Sequence, residues 1–300
     1  MADLPYRPVR PPEPFEATVV CRWDASFVGG LHLVPDGCVE VMWLEGRGVI
    51  VCGPETGAWG AAYTSRIEAA GVRLRPGVAA AALRIDVSEL RDRRVLAADL
   101  WGSAVARRLD EQLHEHDRAG RSDVLLGLVR GVDPTPEAAP LVEAVAGGEP
   151  VAELADTFSL SERQLQRRSR QLFGYGLATL RTVLRLQRVM ALARIRPSDT
   201  ISSLASAAGY ADHSHLGRDS MRLAGLTPTE LFASQAPRWH GGGSVVGSTL
   251  RQAQGSGGSE TLRQAQGSRC SESLRQAQGA VEAGARRMSD SSKSADGRAA

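Results

Sequence analysis

Residues 161–174, "SERQLQRRSRQLFG", combine helical leucine spacing with four arginines and a single acid. On a helical wheel one face holds Leu165, Ser169, Leu172 and Phe173, and the opposite face holds Arg163, Gln166, Arg167 and Arg170. Ser161 followed three residues later by Gln164 is a capping-box pattern, so a helix is expected to begin here. The stretch therefore predicts a helix that packs by one face and presents a basic face to an anionic partner.

A second helix is expected just upstream, in "VAELADTFSL" at 151–160, which has helical apolar spacing. Two helices joined by a tight turn predict a helix-turn-helix unit, whose second helix enters the major groove of DNA. Arginine there suits the O6 and N7 atoms of guanine, and glutamine suits N6 and N7 of adenine. Arg168 lies to the side of this face, where a phosphate contact is expected. The alternative is a solvated basic face on an ordinary helix.

A related stretch, "DHSHLGRDSMRLAG" at 212–225, occurs 51 residues later and favours the DNA-binding interpretation. Its leucines and its final glycine align with those of the first copy, and Asp212 takes the N-cap place of Ser161. The segment between them, residues 177–196, has a strongly helical pattern. We expect two helix-turn-helix units joined rigidly, with their recognition helices about 34 Å apart on one side of the duplex.

The two copies are unequal. The positions that match Arg163, Gln166, Arg167 and Arg170 hold Ser214, Gly217, Arg218 and Met221. We therefore expect the first helix to read most of the base sequence and the second mainly to position the protein. His213 and Ser214 are expected to add local contacts.

The N-terminal region predicts β-structure. Residues 1–85 hold short apolar runs, from "EATVVCRW" at 16–23 to "VAAAALRI" at 78–85, broken by turns such as Pro35-Asp36-Gly37. This pattern favours a barrel or sandwich. From about residue 86 to 146 the spacing becomes helical, for example in "SAVARRLDEQLHEH" at 103–116.

The C-terminal tail is repetitive. "TLRQAQG" occurs at 249–255 and 261–267, and "SLRQAQG" follows at 273–279, with Gly and Ser between the copies. We expect a disordered tail over 241–300; a basic arm that adds DNA affinity is the alternative. The predicted fold class is α+β, with a β-rich N-terminal domain at 1–140, whose helices start near 86, and an all-α domain at 141–240.

Charge and cysteine usage narrow the class of protein. The net charge is only +2, yet residues 161–196 hold nine arginines against Glu162 alone. The sequence contains no run of about 18 apolar residues, so no membrane span is expected, and no secretory signal is expected either. Cys21, Cys38, Cys52 and Cys270 have neither zinc-site nor C-x-x-C spacing, which favours reduced thiols and a cytoplasmic location.

The N-terminal region offers weaker site candidates. If it contains a ligand pocket, the expected lining residues are Trp23, Cys38, Glu40, Trp43 and Trp59, although the tryptophans are also expected core residues. The candidates for a cupin-like metal site are His32, Asp36, Cys38 and Glu40, but a turn role for Asp36 is the simpler interpretation. No catalytic residue, metal or cofactor is expected. A redox-sensing role for Cys38 is not favoured, because no flanking basic residue is present to lower the pKa of its thiol.

The double unit resembles the DNA-binding domain of the AraC/XylS transcription regulators over roughly 140–235. The similar stretches are "LADTFSLSERQLQRRSRQLFGYG", "LRLQRVMALAR" and "ISSLASAAGYADHSHLGRDSMRLAGLTPTEL". The resemblance implies base contacts at Arg163, Gln166 and Arg167, and at Ser214, Gly217 and Arg218. The chain departs from the family at Ser169 and Ser220, where Phe is usual, and at Leu177, where Pro is common. These departures reduce the buried bulk near the recognition helices.

The N-terminal region also resembles a subgroup of these regulators, through "LVPDGCVEVMW", "VCGPETGAW" and "GVRLRPGVAAAAL". This resemblance implies a domain that senses a small molecule or mediates dimerisation. The expected function is sequence-specific transcription regulation. Double-stranded DNA is the expected partner, with a small-molecule effector, RNA polymerase and a second copy of the chain as further candidates, and no membrane. The alternatives are a cupin-type metal-dependent enzyme with an accessory helical domain, and a ligand-binding adaptor that never touches DNA.

Overall fold

The computed structural model describes residues 4–236 and 238, and it has the predicted α+β class. Its β-structure is one antiparallel sheet in the order β1-β2-β5-β3-β4-β6. The strands are β1 Leu4–Val9, β2 Val19–Leu33, β3 Val39–Leu44, β4 Gly48–Cys52, β5 Trp59–Leu74 and β6 Arg94–Leu96. The predicted disorder of the tail falls on residues outside those described.

Most helices follow the sheet in the chain. The helices are α1 Ala79–Leu83, α2 Ala97–Trp101, α3 Ser103–Glu115, α4 Arg118–Leu126, α5 Ala138–Gly147, α6 Val151–Thr157, α7 Glu162–Phe173, α8 Leu177–Ile195, α9 Ile201–Ala208, α10 His213–Ala224 and α11 Pro228–Gln235. Short 3₁₀ helices occupy Glu13–Phe15, Val87–Leu90 and Gly127–Val129. Within the described residues, no helix combines the length and the apolar character needed to cross a bilayer.

One face of the sheet forms the main hydrophobic core. Val41 is paired with Val51 on one side and Val72 on the other, and all three are buried on the same face. Helices α1 to α4 contribute leucines to this core. Trp43 is fully buried among them, and its indole N–H donates a hydrogen bond of 2.7 Å to Oδ1 of Asp110 on α3.

The sheet differs from the sequence prediction in three places. The run 78–85, predicted as a strand, contains helix α1, because its alanines are the best helix formers and lack the branched side chains that strands favour. The run at 16–23 is the start of a much longer strand, β2, which continues to Leu33 through an irregularity next to Gly29, where φ is +96°. Strands β1 and β6 are not predicted by the sequence pattern.

The two expected helix-turn-helix units are present, as α6–α7 and α9–α10. The capping box of Ser161 and Gln164 is formed at the start of α7. Asp212 accepts a hydrogen bond from the His215 N–H at the start of α10, as its N-cap role predicts. Both recognition helices therefore begin where the sequence places them.

Each unit has its own hydrophobic core, and helix α8 contributes to both. The leucines that occupy equivalent places are Leu154, Leu165 and Leu172 in the first core and Leu204, Leu216 and Leu223 in the second. Leu177 and Leu180 at the start of α8 belong to the first core. The buried residues of α8 in the second core are Val183, Leu186, Val189, Met190 and Ala193. One helix of 19 residues thus joins the units through buried contacts at both ends.

The two serines that stand where the family usually has phenylalanine are hydrogen-bonded in the same way. Ser169 and Ser220 are both fully buried. Each hydroxyl donates to the carbonyl oxygen six residues later, to Tyr175 at 2.8 Å and to Leu226 at 2.6 Å. Each bond ties the middle of a recognition helix to the loop that leaves it, so the smaller side chain gains a directional contact in place of buried area.

Replacing either serine with alanine is expected to lower the free energy of unfolding by about 1–3 kcal/mol, because a buried carbonyl loses its partner. Denaturant unfolding of Ser169→Ala and Ser220→Ala measures the effect. The control is Ser206→Ala, whose side chain is exposed on α9. Stability equal to the parent in both buried variants would show that the hydroxyl bonds contribute nothing.

Candidate DNA interface and ligand cavity

Helix α7 has an exposed basic edge. Arg163, Arg167 and Arg170 are exposed, while Leu165 and Leu172 are buried on the other side of the helix. Within the part of the chain that the structure describes, no salt bridge engages these three guanidinium groups. Their positions agree with the helical wheel, and they are accessible to an anionic partner.

Arg168 and Gln166 are held by other parts of the protein. The Arg168 guanidinium forms an ion pair with Glu137, at the start of α5, in which Nε lies 2.7 Å from Oε1. Gln166 is half-buried, and its Oε1 accepts a hydrogen bond of 3.4 Å from the backbone N–H of Leu177. Gly176, the N-cap of α8, has no side chain to make such a bond, so Gln166 supplies the missing cap.

The second recognition helix, α10, presents fewer polar groups. His213, Ser214 and Arg218 are exposed, and Gly217 is half-buried. Met221 stands where α7 has Arg170, and its side chain is 52% exposed. The inequality between the two copies is therefore present on the surface as well as in the sequence.

An ion-pair network that the sequence pattern does not reveal anchors α10 on α8. The Nη2 of Arg185 lies 2.7 Å from Oδ2 of Asp219 and donates to Nε2 of His215 at 3.0 Å. The guanidinium also lies over the Tyr210 ring, 4.4 Å from its centre. Asp219 is the counterpart of Arg168 after the shift of 51 residues, so the same helical position is fixed by an ion pair of opposite polarity in each unit.

The face of the sheet opposite the main core lines a cavity of about 530 Å³, called here the sheet cavity. The strand register brings a row of polar side chains together on this face: Cys21 beside Arg73, Arg73 beside Glu40, Glu40 beside Cys52, and Cys52 beside Arg94. The last four of these residues line the cavity.

The next row of the sheet forms an apolar wall. Trp23, Gly71 and Met42 are neighbours across β2, β5 and β3. A Cβ atom on Gly71 would lie 2.5 Å from the Trp23 ring, so only glycine leaves room for the indole to lie across β5. The indole N–H donates a hydrogen bond of 2.7 Å to Oε1 of Glu40 and so links the apolar row to the polar one.

Four of the five sequence-predicted ligand residues line the sheet cavity: Trp23, Cys38, Glu40 and Trp59. The placement of Trp43 in a pocket is wrong. As the neighbour of Met42 on β3 it points to the opposite face, into the main core. Sequence reasoning missed Arg73, Arg94 and Glu55; the alternation of strands β5 and β6 is the signal that could place the two arginines, but only once the strand order is known.

Burial controls the chemistry of the ionisable groups in the cavity. It raises the pKa of the Glu40 carboxyl above its usual value, although Arg73 opposes the rise. It also raises the pKa of Glu55 to about 7, against the opposing effect of Arg94. The pKa of the Cys38 thiol is raised well above its usual value, again by burial, which disfavours the reactive thiolate. Among the described residues, no group of three or more His, Cys, Asp or Glu side chains could hold a metal ion.

The turn Pro35–Asp36–Gly37–Cys38 connects the cavity to the helix-turn-helix region. Asp36 forms an ion pair with Arg73 inside the cavity, with 3.2 Å between Nη1 and Oδ2. The same turn contacts α8, because the Pro35 carbonyl accepts a hydrogen bond of 2.7 Å from the side-chain amide of Gln187. A Cβ on Gly37 would lie 3.6 Å from the Tyr175 hydroxyl oxygen, in the loop that leaves α7.

Comparisons with known proteins bear on both halves of the chain. Residues 154–234 match a family model described as a helix-turn-helix domain, and residues 7–96 match a domain of unknown function, DUF6597. No curated protein matches the chain in sequence. Structures of ToxT from Vibrio cholerae align with the chain: one, determined at 1.65 Å resolution, is 10% identical, covers 69% of this chain and 97% of that chain, and has a TM-score of 0.41. A structure of ToxT with bound unsaturated fatty acid is also 10% identical, covers 72% of this chain and 97% of that chain, and has a TM-score of 0.38.

The family match spans both helix-turn-helix units and the connector between them, the same segment that carries the AraC/XylS motifs. The match to a domain of unknown function leaves the resemblance of the N-terminal region to a particular subgroup untested. Residues 154–234 are therefore similar to a helix-turn-helix domain, as the resemblance to the AraC/XylS regulators predicts.

Proposed function

We propose that this chain is a sequence-specific transcription regulator, in which residues 141–240 bind double-stranded DNA and residues 1–140 sense a small molecule or mediate dimerisation. The observation that carries the proposal is the pair of capped helices, α7 and α10, fixed on one connector with their basic edges exposed. Two such helices on one rigid support suit successive turns of a major groove.

Arg163 and Arg167 are the proposed base readers. They lie one turn apart near the N-terminal end of α7, the part of a recognition helix that reaches base edges, and both are exposed. Gln166 is a weaker reader, because its amide oxygen is already used at the start of α8. Arg168 is paired with Glu137 and would have to exchange that carboxylate for a phosphate.

The sheet cavity is the proposed effector site. Its volume lies within the range of ordinary small-molecule pockets, and its walls are mainly apolar with a few fixed charges. Gln187, Met190 and Arg194 of α8 border it, so one helix contacts both the cavity and the two DNA-binding units. A ligand that displaces Asp36 or the Pro35 turn would act on α8 through Gln187. RNA polymerase and a second copy of the chain are further partners that such a regulator would engage.

Removing a base reader is expected to lower the affinity for the preferred DNA site by about 1–3 kcal/mol and to relax its sequence preference. The preferred site comes from selection of duplexes bound by the full-length protein, and Arg163→Ala and Arg167→Ala are then titrated with matched and mismatched duplexes. Arg108→Ala, an exposed arginine on α3, is the control. An equal loss on every duplex would contradict base reading.

Arg218→Ala is expected to weaken binding evenly on all duplexes and to reduce the slope of log affinity against log salt by about 0.9, since one phosphate contact is lost. Binding titrations between low and moderate salt measure both quantities. A change in sequence preference with an unaltered salt slope would instead make Arg218 a base reader.

Partly filling the sheet cavity is expected to change DNA affinity about fivefold or more, the lower range of measured couplings between sites. Ala25→Phe adds a ring at a buried position that lines the cavity, and Ala104→Phe adds one at an exposed position of α3. Both are titrated with the preferred duplex after thermal melting has shown that they are folded. Unchanged affinity in a folded Ala25→Phe would rule out communication between the cavity and the DNA-binding region.

A further inference from the structure

We propose that the sheet cavity selects an organic cation with a flat aromatic or similarly apolar body. This inference rests on the proposed effector site and names the chemical class of its ligand. It follows from the charge balance of the cavity, from the rings in its walls, and from the way its arginines are already committed.

The charged groups inside the cavity do not balance. Among the described residues that line it, the carboxylates are Asp36, Glu40 and Glu55, and the guanidinium groups within the sheet are Arg73 and Arg94. Glu55 is paired with Arg94, both with less than 15% of the side chain exposed. Arg73 must serve both other acids, at 3.2 Å from Asp36 and 3.3 Å from Glu40. When all three carboxylates are ionised, they therefore exceed the two guanidinium groups by one negative charge.

The excess charge lies in a place where water screens it little. The Glu40 side chain is 13% exposed and the Arg73 side chain 27%. The hydrogen bond from the Trp23 indole satisfies one lone pair of Glu40 but brings no formal charge. A positively charged ligand would supply the missing charge in a low-dielectric site, where such an interaction is stronger than at the surface.

The upward pKa shifts of Glu40 and Glu55 are consistent with this balance. Burial disfavours their charged forms, and the two guanidinium groups offset only part of that cost. A bound cation would favour the ionised carboxylates, so the cavity gains more from a positive ligand than from a neutral one of equal size.

The walls suit a flat apolar body. Trp23, Phe27 and Tyr63 line the cavity together with Met42 and Leu44. Aromatic faces attract cations as well as burying apolar surface. Trp59 shows this within the protein itself, since the Arg94 guanidinium lies 3.7 Å from the centre of its ring.

Arg194, at the border with α8, does not cancel the excess. Its side chain is exposed, and its Nε donates a hydrogen bond of 2.8 Å to the backbone carbonyl of Gln235. Solvent screens this charge, whereas the carboxylates of the sheet lie deeper. An anionic ligand would have to pass Arg194 and then meet an interior of its own sign.

Three probes that share a naphthylmethyl body test the ligand class: 1-naphthylmethylammonium, 1-naphthalenemethanol and 1-naphthaleneacetate. Isothermal titration of the full-length protein at pH 8 measures the affinity of each. We expect the cation to bind at least about tenfold more tightly than the alcohol, a difference of about 1.4 kcal/mol, and the anion to bind most weakly. Equal or tighter binding of the alcohol or the anion, or binding of none of the three, would overturn the assignment.

Charge-neutral variants locate the interaction. Glu40→Gln keeps an acceptor for the Trp23 indole but removes the charge, and it is expected to lower cation affinity about tenfold while leaving the alcohol unaffected. Glu55→Gln gives a second reading if Glu40→Gln fails to fold. Glu143→Gln, exposed on α5, is the matched control. Loss of cation binding in the control as well, or in neither cavity variant, would refute the role of these carboxylates.

Titration of the selected duplex without any probe separates this inference from the proposed function. Sequence-specific DNA binding with no preference for the cation would refute the ligand class alone. Absence of sequence-specific DNA binding would refute the regulator, whatever the cavity binds.

Discussion

Helix α8 is shared between two hydrophobic cores, and this sharing fixes how the two helix-turn-helix units stand to each other. Leu177 and Leu180 in its first turn share a core with Leu154 and Leu165, and its buried residues from Val183 to Ala193 share a core with Leu204 and Leu216. Rotating one unit against the other would require buried side chains of α8 to leave one core. The Arg185–Asp219 pair adds a directional contact on the second side. The connector therefore behaves as a structural member of both units.

The sequence predicted this region well because its signals are local. N-caps, C-terminal glycines and helical leucine spacing act within one or two turns of a helix. Each of these signals occurs twice, in two stretches 51 residues apart. The sequence pattern did not predict contacts between residues that are far apart in the chain. Arg168 pairs with Glu137, 31 residues away, and nothing in the spacing of either residue indicates the other.

The N-terminal half shows the same division. The sequence analysis expected Cys38 and Glu40 in a pocket, and both line the cavity. Trp43 was misplaced because strand alternation identifies two faces without saying which is the core. The alanines of α1 carried no branched side chains to mark a strand. The polar row of Arg73, Glu40 and Arg94 depends on a strand order in which β5 lies between β2 and β3, and no local pattern encodes that order.

The hydrogen bonds of the Ser169 and Ser220 hydroxyls affect how helices α7 and α10 are oriented. A phenylalanine in these places would be held by contacts that change little when a helix turns slightly about its own axis, since apolar contact has no preferred direction. A hydrogen bond of 2.6–2.8 Å has a narrow range of angles. Each bond therefore favours one rotation of its helix, α7 or α10, about the helix axis. The direction in which the exposed guanidinium groups point is thereby constrained from the interior of the protein, by two buried hydroxyl groups.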